Sequence, residues 1–150
     1  MKTYTNANPR PPKTMRESLA VAIAMDVIAQ LAAKKYVAKK RRFVATLSPD
    51  VCEVCAIGAV WTSLRALLGM DPEDNGGDRV KAYEALAPVM NGQCRSVEIA
   101  FEGDLLGFSD DEGKNGRKWV RRFPKSDMRL RKIMQNLIRN GGQFKIEQVR

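Results

Sequence analysis

The 150-residue chain contains no histidine. That absence removes the imidazole base of serine and cysteine nucleophile pairs, and it removes histidine metal ligands. Long apolar runs are missing as well, and none reaches the roughly 18 residues that span a bilayer. The segment Met1-Lys2-Thr3-Tyr4-Thr5-Asn6 lacks the apolar stretch of a secretory signal. These absences predict a cytoplasmic protein with no membrane partner. Cysteine is limited to three residues, an odd number that predicts free thiols rather than a disulfide framework. Carboxylate or lysine chemistry stays open on composition, but no spacing in the sequence recommends it. The expectation is a protein that is not an enzyme and holds no cofactor.

What is present is a chain of single-domain size, 44% apolar, with 26 basic and 17 acidic residues. The basic residues are segregated along it. Residues 1–49 hold ten Lys/Arg and two acids, residues 50–112 hold four and thirteen, and residues 113–150 hold twelve and two. Two basic ends flank an acidic middle, so part of the charge can be neutralised within the fold. The excess is expected on a surface that attracts polyanions or an acidic protein face.

The pattern predicts a mainly helical single domain of about five helices over 13–150, with a small two- or three-stranded sheet. Residues 1–12 carry Pro9, Pro11 and Pro12 and read as a flexible arm. Thr14 and Glu17 have capping-box spacing, and Leu19, Ile23, Val27, Ile28 and Leu31 recur at helical period, which predicts a helix over 15–35. The run Lys39-Lys40-Arg41-Arg42 follows, then a strand at 43–47. Ser48-Pro49 reads as a helix start, which places Val51 to Leu68 in a buried helix ended by Gly69. Its small residues Ala56, Gly58 and Ala59 would admit a neighbouring helix. A third helix carries Val80, Tyr83, Leu86 and Val89 and stops at Asn91-Gly92. A fourth, shorter one carries Val97 to Phe101. Residues 103–116, rich in glycine and polar groups, read as a mobile loop. Ser126 is the expected cap of a last helix over 127–139, and 143–146 reads as an edge strand.

Four segments invite a chemical interpretation. Cys52-Glu53-Val54-Cys55 has redox-motif spacing, yet Cys52 is expected inside a helix among apolar neighbours, and a zinc site would lack ligands beyond Cys94. Packing explains these thiols better. Asp71, Glu73, Asn75 and Gly76 imitate the start of a calcium loop, but Ala82 stands where a bidentate glutamate is required. Arg139-Asn140-Gly141-Gly142 has the look of a phosphate turn, but it lies at a helix C-terminus, the wrong end of the dipole for an anion. The fourth segment is Lys114, Arg117, Lys118, Arg121, Arg122, Lys125, Arg129, Arg131 and Lys132, with Trp119 and Phe123 interleaved. Arginines there would neutralise phosphates, and an exposed Trp119 could stack on an unpaired base. The competing interpretations make the aromatics core anchors or set the surface against an acidic protein.

Two stretches resemble segments of small accessory proteins of tailed phages. They are Cys52-x-x-Cys55-Ala56-Ile57-Gly58-Ala59 and the C-terminal Arg129-Leu130-Arg131-Lys132-Ile133-Met134-Gln135-Asn136-Leu137-Ile138-Arg139-Asn140-Gly141-Gly142-Gln143-Phe144. The resemblance implies a protein of the class that includes anti-defence inhibitors such as anti-CRISPR proteins, which work by occupying a surface. Many such inhibitors are acidic DNA mimics. A basic chain implies instead a basic face against an acidic host protein or a ribonucleoprotein. The expected contact residues are Lys39, Lys40, Arg41 and Arg42 in one patch, and Arg117, Lys118, Trp119, Arg121, Arg122 and Lys125 in another. Direct, sequence-tolerant binding of DNA or RNA is the alternative.

Overall fold

The computed structural model describes residues 15–69, 79–104 and 107–150. The expected arm at 1–12, the Thr14 cap and the calcium-like loop at 71–78 lie outside them. Among the described residues the fold is mainly α, with six helices and a small mixed sheet. The elements run α1 (Met15–Ala32), β1 (Tyr36–Ala38), β2 (Val44–Ser48), β3 (Val51–Val54), α2 (Ala56–Leu67), α3 (Arg79–Val89), α4 (Cys94–Glu102), α5 (Asp110–Arg122) and α6 (Ser126–Arg139).

The alanine-rich helix α1 buries Ala20, Ile23, Ala24 and Val27, a helical-period stripe that packs along α6, where Leu130, Ile133, Met134 and Leu137 are fully buried. Helix α1 ends earlier than its periodicity suggests. Lys34 takes a left-handed φ of 59°, and the Lys34 and Lys35 amides close the last turn on Leu31 and Gln30 carbonyls.

The sheet corrects one expectation. Ser48-Pro49 does not open a helix: it lies at the turn of a hairpin between β2 and β3, and residues 51–54 are a strand. β3 sits in the centre, parallel to β1 and antiparallel to β2. Helix α2 starts after it, with Cys55 at the N-cap and its Sγ accepting from the Gly58 amide at 3.4 Å. The small residue Gly58 admits backbone rather than a helix. A Cβ there would stand 1.6 Å from the Phe43 carbonyl oxygen, so the chain entering β2 rests directly on α2.

A second correction concerns residues 103–116, expected as a mobile loop. Its second half belongs to α5, which begins with a complete capping box: the Ser109 hydroxyl accepts from the Glu112 amide and the Glu112 carboxylate accepts from the Ser109 amide. Gly116 serves packing. A Cβ on Gly116 would lie 2.2 Å from the Gly103 carbonyl oxygen and 2.7 Å from that of Ile99, so α5 crosses the C-terminus of α4 at backbone contact.

Residues 143–146 are not a strand. The segment after α6 is tied down by side chains instead of by a ladder. Asn136 donates to the Lys145 and Gln148 carbonyls and accepts from the Lys145 amide; Asn140 reaches Asn136 and the Gln148 side chain. Gln93 donates to the Gly142 carbonyl and accepts from the Phe144 amide. Helix α6 starts one residue earlier than expected. Lys125 takes the cap position, and the Ser126 hydroxyl accepts from Arg129 at 3.3 Å.

Candidate functional site

The phase of α5 decides which of its residues meet solvent. At 100° per residue, Lys114, Arg117, Lys118, Arg121 and Arg122 share an arc of about 140°, and all five are exposed. Gly113, Gly116 and Trp119 occupy the buried side. Negative charge gathers at the N-terminal end in Asp110, Asp111 and Glu112, and positive charge at the C-terminal end in Arg121 and Arg122, each matching the helix dipole.

Trp119 is therefore not a contact residue. It is completely buried, its Nε1 donates to the Ile146 carbonyl at 2.8 Å, and its ring packs against Phe123 and Phe144 at centroid distances of 5.9 and 5.5 Å. No base can stack on it. Spacing along the chain put it among the cations, but helical phase turns it to the opposite side.

The other basic patch is a short loop between β1 and β2. Its turn is fixed at Arg41, whose backbone N–H donates to both oxygens of the Glu102 carboxylate at 2.9 and 3.1 Å. Glu102 is only 4% exposed, and burial raises its pKa, opposed by this bond and by the cations around it. Arg41 itself takes a left-handed φ of 62°, a conformation that suits glycine or asparagine and costs an arginine about 1–2 kcal/mol. Lys39 is tied to the sheet through its amide, which donates to Val54 at 2.8 Å. Lys39, Arg41 and Arg42 are exposed and Lys40 is half-buried.

The two patches, far apart in sequence, meet. Lys40, Arg117 and Arg121 line one cavity of about 250 Å³ together with Gly103, Asp104 and Val120. Burial lowers the Lys40 pKa, and the Arg129 and Arg41 charges add to that effect against Glu102 and Asp104. Among the described residues, the candidate cations make two ion pairs: Arg42 with Glu53 at 3.5 Å, and Arg117 with a 77% exposed Asp104 at 3.9 Å. Such long, wet pairs contribute little. The described residues of the acidic middle thus leave most of these cations without an ion pair. Lys125, also exposed, borders a separate cavity of about 490 Å³ with Arg131, Leu31, Ala32, Ala38 and Met128.

Three participants were not foreseen from sequence. Gly103, at φ 82°, takes a turn that brings Val120 to 2.4 Å from where a Cβ would be. Asp104 is the cavity's carboxylate. Glu102 anchors the loop, and the sequence offers no sign that this acid is buried. Arg129, counted in the basic segment, belongs to the interior. It is fully buried, donates to the carbonyls of Phe101, Phe123 and Pro124, and lies 4.9 Å over the Phe101 ring.

No cysteine lines this cavity, although the Cys55 amide donates to the Arg42 carbonyl. Cys52 is in β3 and not in a helix; Cys55 and Cys94 are buried, and burial raises both thiols, that of Cys94 to about 11. Among the described residues no helix is long and apolar enough to cross a membrane, and no three His, Cys, Asp or Glu side chains gather as a metal site. No protein-family model, no curated protein and no solved structure matches the chain.

Proposed function

We propose that this protein acts by binding and not by turnover, presenting one basic face to an anionic macromolecule in the cell. In the terms of the phage resemblance, it is an accessory protein that engages a host protein or ribonucleoprotein and alters its activity. The observation that carries this reading is the convergence of Lys40 with Arg117 and Arg121, which among the described residues have one long ion pair between them, Arg117 with Asp104. A field of uncompensated charge of one sign steers and orients an oppositely charged partner.

Arg41 adds support. A strained left-handed arginine in a surface loop is a costly choice unless its side chain is needed. The test is capture from a bacterial lysate by the wild-type chain and by two reversed variants. One is Lys39→Glu/Lys40→Glu/Arg41→Glu/Arg42→Glu, the other Arg117→Glu/Lys118→Glu/Arg121→Glu/Arg122→Glu. Both should lose the captured partner. Undiminished capture by both removes the proposal.

A further inference from the structure

We infer that the cavity between Lys40, Arg117 and Arg121 seats a phosphate of a nucleic-acid backbone, and that the partner is recognised through its phosphates without reading of bases. The inference rests on the basic-face reading and names the chemistry of its partner.

Three features of the cavity favour phosphate. Its charge is the first. Three cations line it with one carboxylate, Asp104, which is mostly exposed, while Glu102 acts on Lys40 from behind the loop. Two of the three are guanidinium groups, whose planar forks match phosphate oxygens.

Its walls are the second. Lys40 sits on the loop that Glu102 holds through the Arg41 amide, and Arg117 and Arg121 sit on a helix that Gly116 seats against the end of α4. The backbones that carry the three cations are therefore held in place before any anion arrives, which confines the ordering cost of binding to the side chains.

The third is what the face lacks. Protein–protein contacts are built around a dry apolar or aromatic centre. Among the described residues the apolar lining is Val120, and the exposed large apolar residues Leu47, Leu67, Leu68, Val80 and Met128 belong neither to this cavity nor to the α5 arc. Interfaces with nucleic acid are polar and positive by comparison. With Trp119 inside the core, no aromatic on this arc offers a stacking surface, so the contact is to the backbone. The exposed Lys114, Lys118 and Arg122 flank the cavity along α5 and would meet neighbouring phosphates.

The test uses the purified full chain and three labelled probes of matched charge: a short DNA duplex, the RNA duplex of the same sequence, and polyaspartate. Affinity is measured over a salt series for the wild type, Arg117→Gln/Arg121→Gln and Lys118→Gln/Arg122→Gln, with circular dichroism confirming the fold of each. A duplex should bind, more weakly as salt rises, and the ratio of DNA to RNA affinity identifies which form is preferred. The Arg117/Arg121 pair should lose about tenfold or more and flatten the salt dependence by about one phosphate contact, with a smaller loss of affinity for the Lys118/Arg122 pair. Equal losses for the two pairs overturn the cavity as a seat. Polyaspartate binding as tightly as the duplexes overturns the phosphate assignment. Absence of duplex binding at low salt overturns the inference as a whole, whereas the basic-face reading stands or falls separately on lysate capture by the reversed variants.

Discussion

Arg121 and Arg129 lie on successive helices with the same side chain and opposite surroundings. Arg121 borders an open cavity at the end of α5. Arg129, in the first turns of α6, is enclosed and donates to carbonyls at the ends of α4 and α5. The buried guanidinium joins three helix ends; the surface one has no comparable set of partners among the described residues. What separates them is helical phase, not composition. A count of positive residues along the chain therefore overstates the working surface, because some of them are architecture.

The largest predicted effect falls on the architectural side. Arg129→Met leaves the Phe101, Phe123 and Pro124 carbonyls without their donor and should cost about 3–5 kcal/mol in chemical denaturation, because orphaned buried polar groups carry the full desolvation penalty. Arg121→Met should stay within about 0.5 kcal/mol of wild type. Similar losses at the two positions would erase the distinction.

The same contrast can be drawn inside α5 with smaller numbers. Gly116→Ala pushes a methyl into backbone carbonyls and should cost about 1–3 kcal/mol. Gly113→Ala meets the flexible end of Arg117 at 3.0 Å and an Asp104 carboxylate oxygen at an ordinary 3.8 Å, and should be neutral or stabilising by up to about 1 kcal/mol, since alanine favours helix. Thermal melting of the two variants checks the order; a reversal would mean that α5 does not cross α4 as described.

Arg41→Gly sharpens the comparison on the functional side. It relieves the left-handed strain, so stability should rise by about 0.5–1 kcal/mol after allowing for glycine's freedom in the unfolded chain, while partner capture falls. A stabilised variant with undiminished capture would show that the arginine is not there for binding. The smallest effect belongs to the exposed Arg95–Glu112 pair at the other end of α5. The Arg95 side chain and the Ser109 amide pull the Glu112 carboxyl down to about 2. A depressed folded pKa stabilises above the ordinary carboxylate value of about 4.3, and that contribution fades as pH falls through about 2. Arg95→Ala should flatten the acid limb of a stability–pH curve only slightly, because the pair is wet.

Much of the helical framework was legible from apolar periodicity: α1, α3, α4 and α6 lie within a few residues of their expected positions. Two elements misled for identifiable reasons. Val51 and Val54 are β-branched and suit a strand, but the Ser-Pro pair before them has the form of a helix start. In α5, Gly113 and Gly116 read as loop residues, and the use of Gly116, close contact with the end of α4, is invisible along one strand of text; the Ser109–Glu112 spacing was the available signal. For the site, the exposure of most candidate cations followed from their charge alone. The meeting of Lys40 with Arg117 did not, since it depends on Glu102 bonding to a backbone amide 61 residues away.

The amide clamp behind α6 has a consequence for the chemical ageing of the protein. Asn136 and Asn140 hold the final segment through N–H groups aimed at oxygen atoms. Slow hydrolysis of either side chain to a carboxylate would replace those donors with a charged acceptor facing oxygens, and the segment that covers Trp119 would lift. Asn140 precedes Gly141, whose bare backbone offers little steric protection, so burial of that amide is its safeguard. Long storage in warm alkaline buffer is thus a threat to the indole's cover before it is a threat to the arginines on the far side of the same helix.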